Sequence, residues 1–533
     1  MSNGHGREPD VLVVGGGLAG LACAFDLSRA GLHVTVHEAA DEVGGRMRTD
    51  RRDGFLLDRG FQVFNTAYPQ VRRRLPLRRL GLRPFTPGVL AHTPSGVVRL
   101  TDPSRRPREA GRLLPGRALG ARDLAALTAL TARDVVAPAA LLKRGRDRTT
   151  AEALARCGLS REAVDHLLRP FLAGVFLEPE LETSARFFHL VWRSTARGTL
   201  CLPARGIGSV PKLLAARLPE GAVRLESPVR SITDRGVLLQ DGTERPAGAV
   251  VVATDAATAA RLLPGLDVPP GRTVTTYYHA TDRAPLSEPI LVVDSTLAVL
   301  NTCVLTEVSP TYAPPGTALV STSVLGADAP GREDGVRRRL AQLYGTDTAD
   351  WRSVATYTVE GALPVMRPPW PLSRTTRRSE GRYVCGDHRA TGSVQGALAS
   401  GSRAAREVLA DLWDRPHPTG GLPANSGWGR LGAVTRPPVP GTTARRSPGT
   451  TRRARRREPP GERVGRSDRR TKEHRHGEEP RQGRAPQEGR QGQLEHPRHP
   501  DRGRGGEEDH RADRGRGPHG GRVPRRPAVR GPQ

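Results

Sequence analysis

A short apolar run, Val11–Val14, leads into Gly15-Gly16-Gly17-Leu18-Ala19-Gly20, and then Leu21, Ala22, Ala24, Phe25 and Leu27 recur at helical spacing until Gly31. Few folds accept that order. A strand apolar on both faces belongs inside a parallel sheet. Gly15 permits the tight turn, Gly17 lets backbone approach a pyrophosphate, and Gly20 lets the helix pack on the strand. The helix start at Leu18 and Ala19 offers free N–H groups and the positive end of the dipole to phosphates. Val34–Val36 is a second strand ending at Glu38, whose carboxylate can accept from a ribose hydroxyl. The unit predicts dinucleotide binding. An acid at position 38 disfavours a 2′-phosphate, and spacing alone does not separate NAD from FAD.

The rest of the chain divides into two unlike parts. Of 533 residues, the last 103 (431–533) hold 27 Lys/Arg, 13 Asp/Glu and no Phe, Trp or Tyr. Such a stretch cannot bury enough apolar surface to offset its ordering entropy. No run of 18 apolar residues exists to span a membrane as a helix, and Met1–Asp10 is polar, unlike a signal peptide. The five cysteines, Cys23, Cys157, Cys201, Cys303 and Cys385, form no CxxC pair, which fits reduced thiols in a cytoplasmic protein and no metal site.

Periodicity predicts helices over Ala121–Leu142, Thr150–Leu168, Thr183–Arg193, Pro211–Leu218, Val336–Tyr344 and Gly396–Leu412. Strands are expected at Val229–Ile232, Val237–Leu239, Val250–Ala253 and Tyr383–Cys385. Thr273–Val324 reads as β-rich, with strands at Thr275–His279, Ile290–Val293, Ala298–Leu305 and Ala318–Val324, and Pro84–Gly120 reads as turn-rich and basic.

Beyond the glycine loop, Gly44-Gly45-Arg46 and Asp58-Arg59-Gly60-Phe61 continue a recognisable series. Tyr383-Val384-Cys385-Gly386-Asp387 and Gly392-Ser393-Val394-Gln395-Gly396-Ala397 close it. In these motifs the chain resembles the superfamily of FAD-dependent amine oxidases, phytoene desaturases and protoporphyrinogen oxidases, over about Pro9–Leu412. The resemblance implies non-covalent FAD. Gly45 and Arg46 would cross beneath its diphosphate, and Gly60 would pass near the flavin. Val229, in a segment similar to the superfamily's middle motif, would meet the adenine. Gly386 and Asp387 would lie at the ribityl-phosphate side. Ser393 and Val394 would start a helix aimed at the flavin's pyrimidine edge, where a dipole stabilises negative charge.

The implied fold is α/β: a discontinuous Rossmann-like FAD-binding domain (9–65, 203–263 and 351–413) with an inserted α+β substrate domain (66–202 and 264–350). A disordered Arg/Gly/Pro-rich tail (414–533) follows. The implied activity is hydride transfer from a substrate C–H or C–N bond to flavin N5, with re-oxidation by oxygen or a quinone. Lys143, Lys212 and Lys472 are the only lysines, and none falls in Thr273–Val324, where relatives that oxidise simple amines carry a flavin-facing one. A desaturase- or protoporphyrinogen-oxidase-like substrate is therefore favoured, and a lipophilic one would bring peripheral membrane contact. A redox-neutral, sugar-mutase-like flavoenzyme is the alternative.

Tyr277, Tyr278 and His279 lie on one β segment, with plain sheet packing the heavier reading. His189 reads as a satisfied histidine, Trp351 and Trp370 as packing residues, and Ala362-Leu363-Pro364 as similar to a cavity-lining stretch of relatives. No catalytic residue is named. The tail has five arginines within Thr451–Arg457 but no aromatic residue for base stacking, so specific nucleic-acid binding is disfavoured. Eighty Arg against three Lys also suggests GC-rich coding, in which a shifted frame would yield such a tail.

Overall fold

The computed structural model describes residues 8–413 apart from 102–104, 106, 107 and 109–118; the expectations for 1–7 and 414–533 lie outside the described residues. The apolar run opening the chain is the strand Val11–Val14, buried throughout, and it lies centrally in a six-stranded sheet. The sheet order is Val223–Arg224, Val34–His37, Val11–Val14, Ala249–Val252, Arg382–Val384 and Arg377–Ser379. The first five strands run parallel, and only the edge strand is antiparallel. Strands reached from Val11–Val14 in opposite directions leave a crevice beyond their carboxyl ends.

One face of this sheet is covered by helices Leu18–Arg29 and Val394–Trp413, through Ala19, Cys23, Leu27, Ala404 and Val408. The other face carries a three-stranded sheet (Val229–Ile232, Gly236–Leu239, Glu244–Pro246) and helix Ala256–Leu262. Val11, Leu12, Val13 and Val14, with valines 250–252, therefore pack on both sides, each side chain contributing about 1.5–3 kcal/mol.

A second, seven-stranded sheet runs in the order Arg352–Pro364, Gly271–Thr281, Ala318–Leu325, Asn301–Val304, Leu291–Asp294, Gly88–Thr93 and Gly96–Thr101. Two of its parts were not legible. The hairpin Gly88–Thr101 falls where the sequence reads as turns. Arg352–Pro364, assigned from sequence to the nucleotide domain, is a 13-residue strand paired with Gly271–Thr281 in the other sheet. Its polar residues Arg352, Ser353, Thr356, Thr358 and Glu360 are exposed, so no apolar run announced it.

Helix boundaries moved for local reasons. Ala121–Leu142 is two helices, Ala121–Val136 and Ala139–Arg144, because Pro138 holds the preceding Ala137 out of the helical region. Thr150–Leu168 also breaks: Thr149 caps Thr150–Arg156 with a capping box through Glu152, and Ser160 caps a new start. The next turns pass through a π segment, Val164–Leu168, into Arg169–Phe176. The remaining helices are Ala185–Arg197, Ser209–Ala215 and Arg332–Tyr344. The expected strand Ala298–Leu305 is shorter, Asn301–Val304, and a helical turn begins at Leu305.

Candidate functional site: a glycine-lined crevice

The crevice is assembled from loops at the carboxyl ends of the parallel strands. Gly15 has φ +107, and a Cβ there would lie 2.9 Å from the Ala253 carbonyl oxygen. At Gly20 a Cβ would fall inside the Gly15 carbonyl oxygen, so helix Leu18–Arg29 can sit on its strand only with glycine there. Gly17 differs: nothing lies within 4 Å of a Cβ built on it. The helix has no side-chain cap at Gly17, so first-turn N–H groups at Leu18, Ala19 and Gly20 face the loop without an intrahelical acceptor. Open space beside such donors can take phosphate oxygens.

Glu38 ends the second strand and reaches back into this loop. Its Oε2 accepts from Gly16 N–H at 2.6 Å and its Oε1 from Ala40 N–H at 3.0 Å. A carboxylate offers about four acceptor positions, so capacity for ribose hydroxyls remains. Ser227 N–H donates to the Glu38 carbonyl at 2.8 Å and Glu226 N–H to the Ala40 carbonyl at 3.0 Å. These bonds bring the segment leading into Val229 to the Glu38 end of the crevice.

The Gly44-Gly45-Arg46 turn lies over the glycine loop. Gly44 N–H donates to the Gly16 carbonyl at 3.0 Å, and the exposed Gly45 comes within 3.6 Å of the Gly17 Cα at its Cβ position. Arg46 then spans to the far wall. Its Nη2 pairs with Asp387 Oδ1 at 2.6 Å, and its Nη1 donates to the Ala362 carbonyl at 2.6 Å. Gln62 Nε2 donates to the Arg46 carbonyl at 2.7 Å. Gly60, with φ +83, packs within 3.2 Å of Val359 Cγ2 at its Cβ position, which places the Asp58–Phe61 stretch against the strand that Arg46 grips.

Asp387 follows the last parallel strand. Gly386 N–H donates to Ser400 Oγ at 3.1 Å, tying this turn to helix Val394–Trp413. The neighbouring His388 ring lies over Gly386, where any Cβ would strike it. Burial pushes the His388 imidazole down to about 4, so it is neutral at pH 7, and neither ring nitrogen has a partner among the described residues. Ser393 caps the helix, its Oγ accepting from Gly396 N–H at 3.0 Å, and Val394 begins it. Gly401 sits on the Ala19 carbonyl where a Cβ could not, so this helix and the glycine-loop helix are in backbone contact. These contacts join the glycine loop directly to Glu38 and Gly45, and Arg46 to Asp387; Gly60 is joined through Val359, Ser393 and Val394 through the helix that Ser400 ties to Gly386, and Val229, on a strand of its own sheet, only through Ser227.

Ala362, which accepts from Arg46, and Val359, which meets Gly60, belong to an apolar cluster. Ala173, Val274 and Leu300 are buried, and Leu177, Leu297, Leu325, Val359 and Ala362 pack on them while partly open. Leu177 (φ 54) and Leu297 (φ 59) hold left-handed backbone, a conformation costing a leucine about 1–3 kcal/mol. Such strain persists only where surrounding packing over-determines it. No sequence signal marks a leucine for this conformation.

Asp58 is the buried hub beneath Gly60. Its Oδ1 accepts from Thr49 Oγ1 at 2.5 Å and Ile207 N–H at 2.9 Å, and its Oδ2 from Tyr312 at 3.1 Å. Burial raises its carboxyl to about 6, against the lowering effect of these donors. A raised folded value makes the native state the tighter proton binder, so stability is greatest below the unfolded value near 4 and is lost as pH rises to 6. A shift near two units corresponds to about 3 kcal/mol. Relative to Asp58→Asn, the wild type should therefore gain stability on acidification from pH 7 to 4.5, read from urea midpoints. A constant difference across that range would refute the raised value.

Several residues weighed from the sequence lie elsewhere. Tyr277 bonds Asp328, and His279 Nε2 lies 3.0 Å from Glu333 Oε1, both on the sheet face under helix Arg332–Tyr344. Tyr278 faces the other way and donates to the Asp58 carbonyl at 2.7 Å. All three are sheet packing. His189 Nδ1 pairs with Asp134 at 2.8 Å, Trp351 packs beside His279 and Tyr344, and Trp370 Nε1 donates to the Ala390 carbonyl at 2.8 Å. Lys212 pairs with Glu42 at 2.7 Å. A surface cleft of about 650 Å³ adjoins that pair, lined by Val43, Leu218 and Leu225, apart from the crevice. Among the described residues no group of three or more His, Cys, Asp or Glu could hold a metal, and no helix is long and apolar enough to cross a membrane.

Comparison with known proteins agrees with this arrangement. The model of the flavin containing amine oxidoreductase family matches residues 18–409. Hydroxysqualene dehydroxylase of Rhodopseudomonas palustris is 28% identical over 447 residues, covering 75% of this chain and 98% of that protein. Protoporphyrinogen oxidase 2 of Arabidopsis thaliana is 44% identical over 73 residues, a stretch that covers 14% of each chain. Cyclohexylamine oxidase of Brevibacterium oxydans superposes with a TM-score of 0.57 at 19% identity, covering 76% of this chain and all of that one, a likeness of fold.

Proposed function

Because the chain belongs to the flavin containing amine oxidoreductase family, and is thereby an FAD-dependent oxidoreductase, we propose that it oxidises a lipophilic substrate at a C–H bond. The observation that carries this reading is the apolar cluster of Leu177, Leu297, Leu325, Val359 and Ala362, whose Ala362 carbonyl accepts from Arg46 of the crevice. It favours desaturase- or protoporphyrinogen-oxidase-like substrates over simple amines. When bound, the flavin supplies the acceptor for a hydride, at N5, and is returned to its oxidised form by oxygen or a quinone.

The chain's own residues bind and orient. Gly15, Gly17, Leu18, Ala19 and Gly20 would hold the diphosphate by backbone, with Gly45 and Arg46 across it. Glu38 would accept from ribose, and Val229 would meet the adenine. Asp387 would accept from the ribityl hydroxyls. Gly60 would keep backbone close to the flavin, and Ser393 and Val394 would aim a helix dipole at the ring edge that gains negative charge. The apolar cluster would exclude water and position the substrate by shape. Cys385 is fully buried in the strand core and its thiol is pushed up to about 12 by burial, which supports non-covalent attachment. The five free cysteines fit a reducing, cytoplasmic setting.

The test is anaerobic bleaching of the visible flavin bands of the purified protein by amines, porphyrinogens and polyenes in turn. Bleaching by porphyrinogens or polyenes is expected. Bleaching by simple amines alone would overturn the lipophilic assignment, and a protein that neither carries nor takes up FAD would overturn the whole reading. Turnover only with reduced flavin, without net oxidation, would assign it to the redox-neutral class. Leu297→Asp should raise KM for the reducing substrate at least tenfold at unchanged flavin content, since a carboxylate would be set into an apolar wall.

A further inference from the structure

Residues 99–148 carry twelve Lys/Arg and only five Asp/Glu. The three of those acids that the structure describes all face inward. Asp123 accepts from Ser160 N–H at 2.6 Å and from its hydroxyl at 2.8 Å. Asp134 is fully buried between Arg133 and His189. Asp147 takes Ser184, Arg186 and Trp370 N–H. These carboxylates fasten helices Ala121–Val136 and Ala139–Arg144 to the body of the protein. They are thereby withheld from the outer surface.

What remains outside is chiefly apolar with cationic ends, Thr128 and Arg133 being the exposed polar residues between them. Both helices pack on Ala185–Arg197. On the first, Ala121, Ala125, Ala129, Ala132 and Val136 are exposed at a spacing that keeps them on one stripe, and the second exposes Ala140 and Leu141. Val136 is 80% exposed and Leu141 59%; only Val97 and Leu225 join them as exposed large apolar side chains among the described residues. Arg122 stands at one end and Lys143, Arg144 and Arg146 at the other, all exposed, and none meets a carboxylate among the described residues.

We propose that this face docks on an anionic lipid bilayer, with Val136 and Leu141 entering the acyl boundary and Lys143, Arg144 and Arg146 meeting headgroup charge. An apolar stripe flanked by cations and, among the described residues, cleared of acids is complementary to such a surface. A second copy of the chain fits worse, since the cationic ends would oppose one another. A nucleic acid would have no use for the two exposed apolar side chains. The inference does not depend on the substrate, because docking is read without turnover.

The experiment is cosedimentation of the full-length protein with vesicles of equal parts phosphatidylglycerol and phosphatidylcholine, and with phosphatidylcholine alone, at physiological salt. Wild type should bind the mixed vesicles and not the neutral ones. V136D/L141D should weaken binding at least tenfold. K143E/R144E should do the same, each cation near the surface being worth about fivefold in affinity. Flavin absorbance and melting temperature should not change, because these side chains touch little of the protein. The basic residues after 430 could bind such vesicles alone, and then both variants would sediment like wild type, which overturns the proposal. Equal binding to neutral vesicles, or none to either, overturns it as well.

Discussion

Replacing Gly17 with valine is expected to leave the protein folded and without flavin, whereas replacing Gly20 with alanine is expected to destabilise the nucleotide-binding unit. The two glycines stand three residues apart and differ in what surrounds them. Gly17 has φ −73 and ψ 175, which any residue can adopt, and a Cβ there meets nothing within 4 Å. The added side chain fills only the space through which a pyrophosphate would approach. FAD affinity should fall at least 100-fold, about 2.7 kcal/mol, with little change in the melting point of the flavin-free protein. At Gly20 the added carbon would overlap the Gly15 carbonyl and lie 3.1 Å from Ala253 Cβ. The helix cannot retreat, because Gly401 of the C-terminal helix rests on Ala19. Overpacking between backbones should cost about 3 kcal/mol or more. FAD titration and urea unfolding of both variants decide the matter. A Gly17→Val protein with wild-type FAD affinity would show that the loop is not the diphosphate site.

Loss of Arg46 should be the most damaging single change outside the glycine loop. Its guanidinium joins the Gly44–Arg46 turn to Asp387 at 2.6 Å and to the Ala362 carbonyl at 2.6 Å, so one side chain holds three segments far apart in sequence. Asp387 is buried while Arg46 is about a third exposed. Arg46→Ala would leave a buried carboxylate alone, at about 2–3 kcal/mol, less than the 3–5 of a fully buried pair. Arg46→Lys should recover only part, since an ammonium cannot spread planar donors over two acceptors. Asp387→Asn in the Arg46→Ala background should restore stability without restoring flavin retention, because the isolated charge is gone but the bridge is not. Flavin content after gel filtration, with thermal melts, measures both. An Arg46→Ala protein that melts and retains flavin like wild type would show that the ion pair holds nothing together.

How much of this was legible depended on whether the signal was local. Gly15, Gly17 and Gly20 could be read one by one, since each follows from the geometry of a single strand–turn–helix. Arg46 and Asp387 could be named by resemblance, but their pairing could not, because 341 positions separate them and nothing in either motif specifies the other. Asp58 was found as part of a motif, while its burial under Tyr278 and Tyr312 was not. The left-handed leucines 177 and 297 had no signal, since nothing in the local sequence separates them from other leucines.

By itself the sequence determined the βαβ unit and the dinucleotide class, because strict steric demands there fall on consecutive residues. It also determined, by simple counting, the apolar body and the strongly basic last 103 residues. Only the tertiary structure decided that Arg352–Pro364 joins the second sheet, since its residues alternate without an apolar run and pairing partners were needed to place it. Only the tertiary structure could set Leu177 and Leu297 beside Ala362, or turn Asp123, Asp134 and Asp147 inward and leave cations and Val136 outside. Local sterics act between neighbours in the chain. Which side chains face water, and which buried charges meet, follows from packing among segments whose proximity no local pattern encodes.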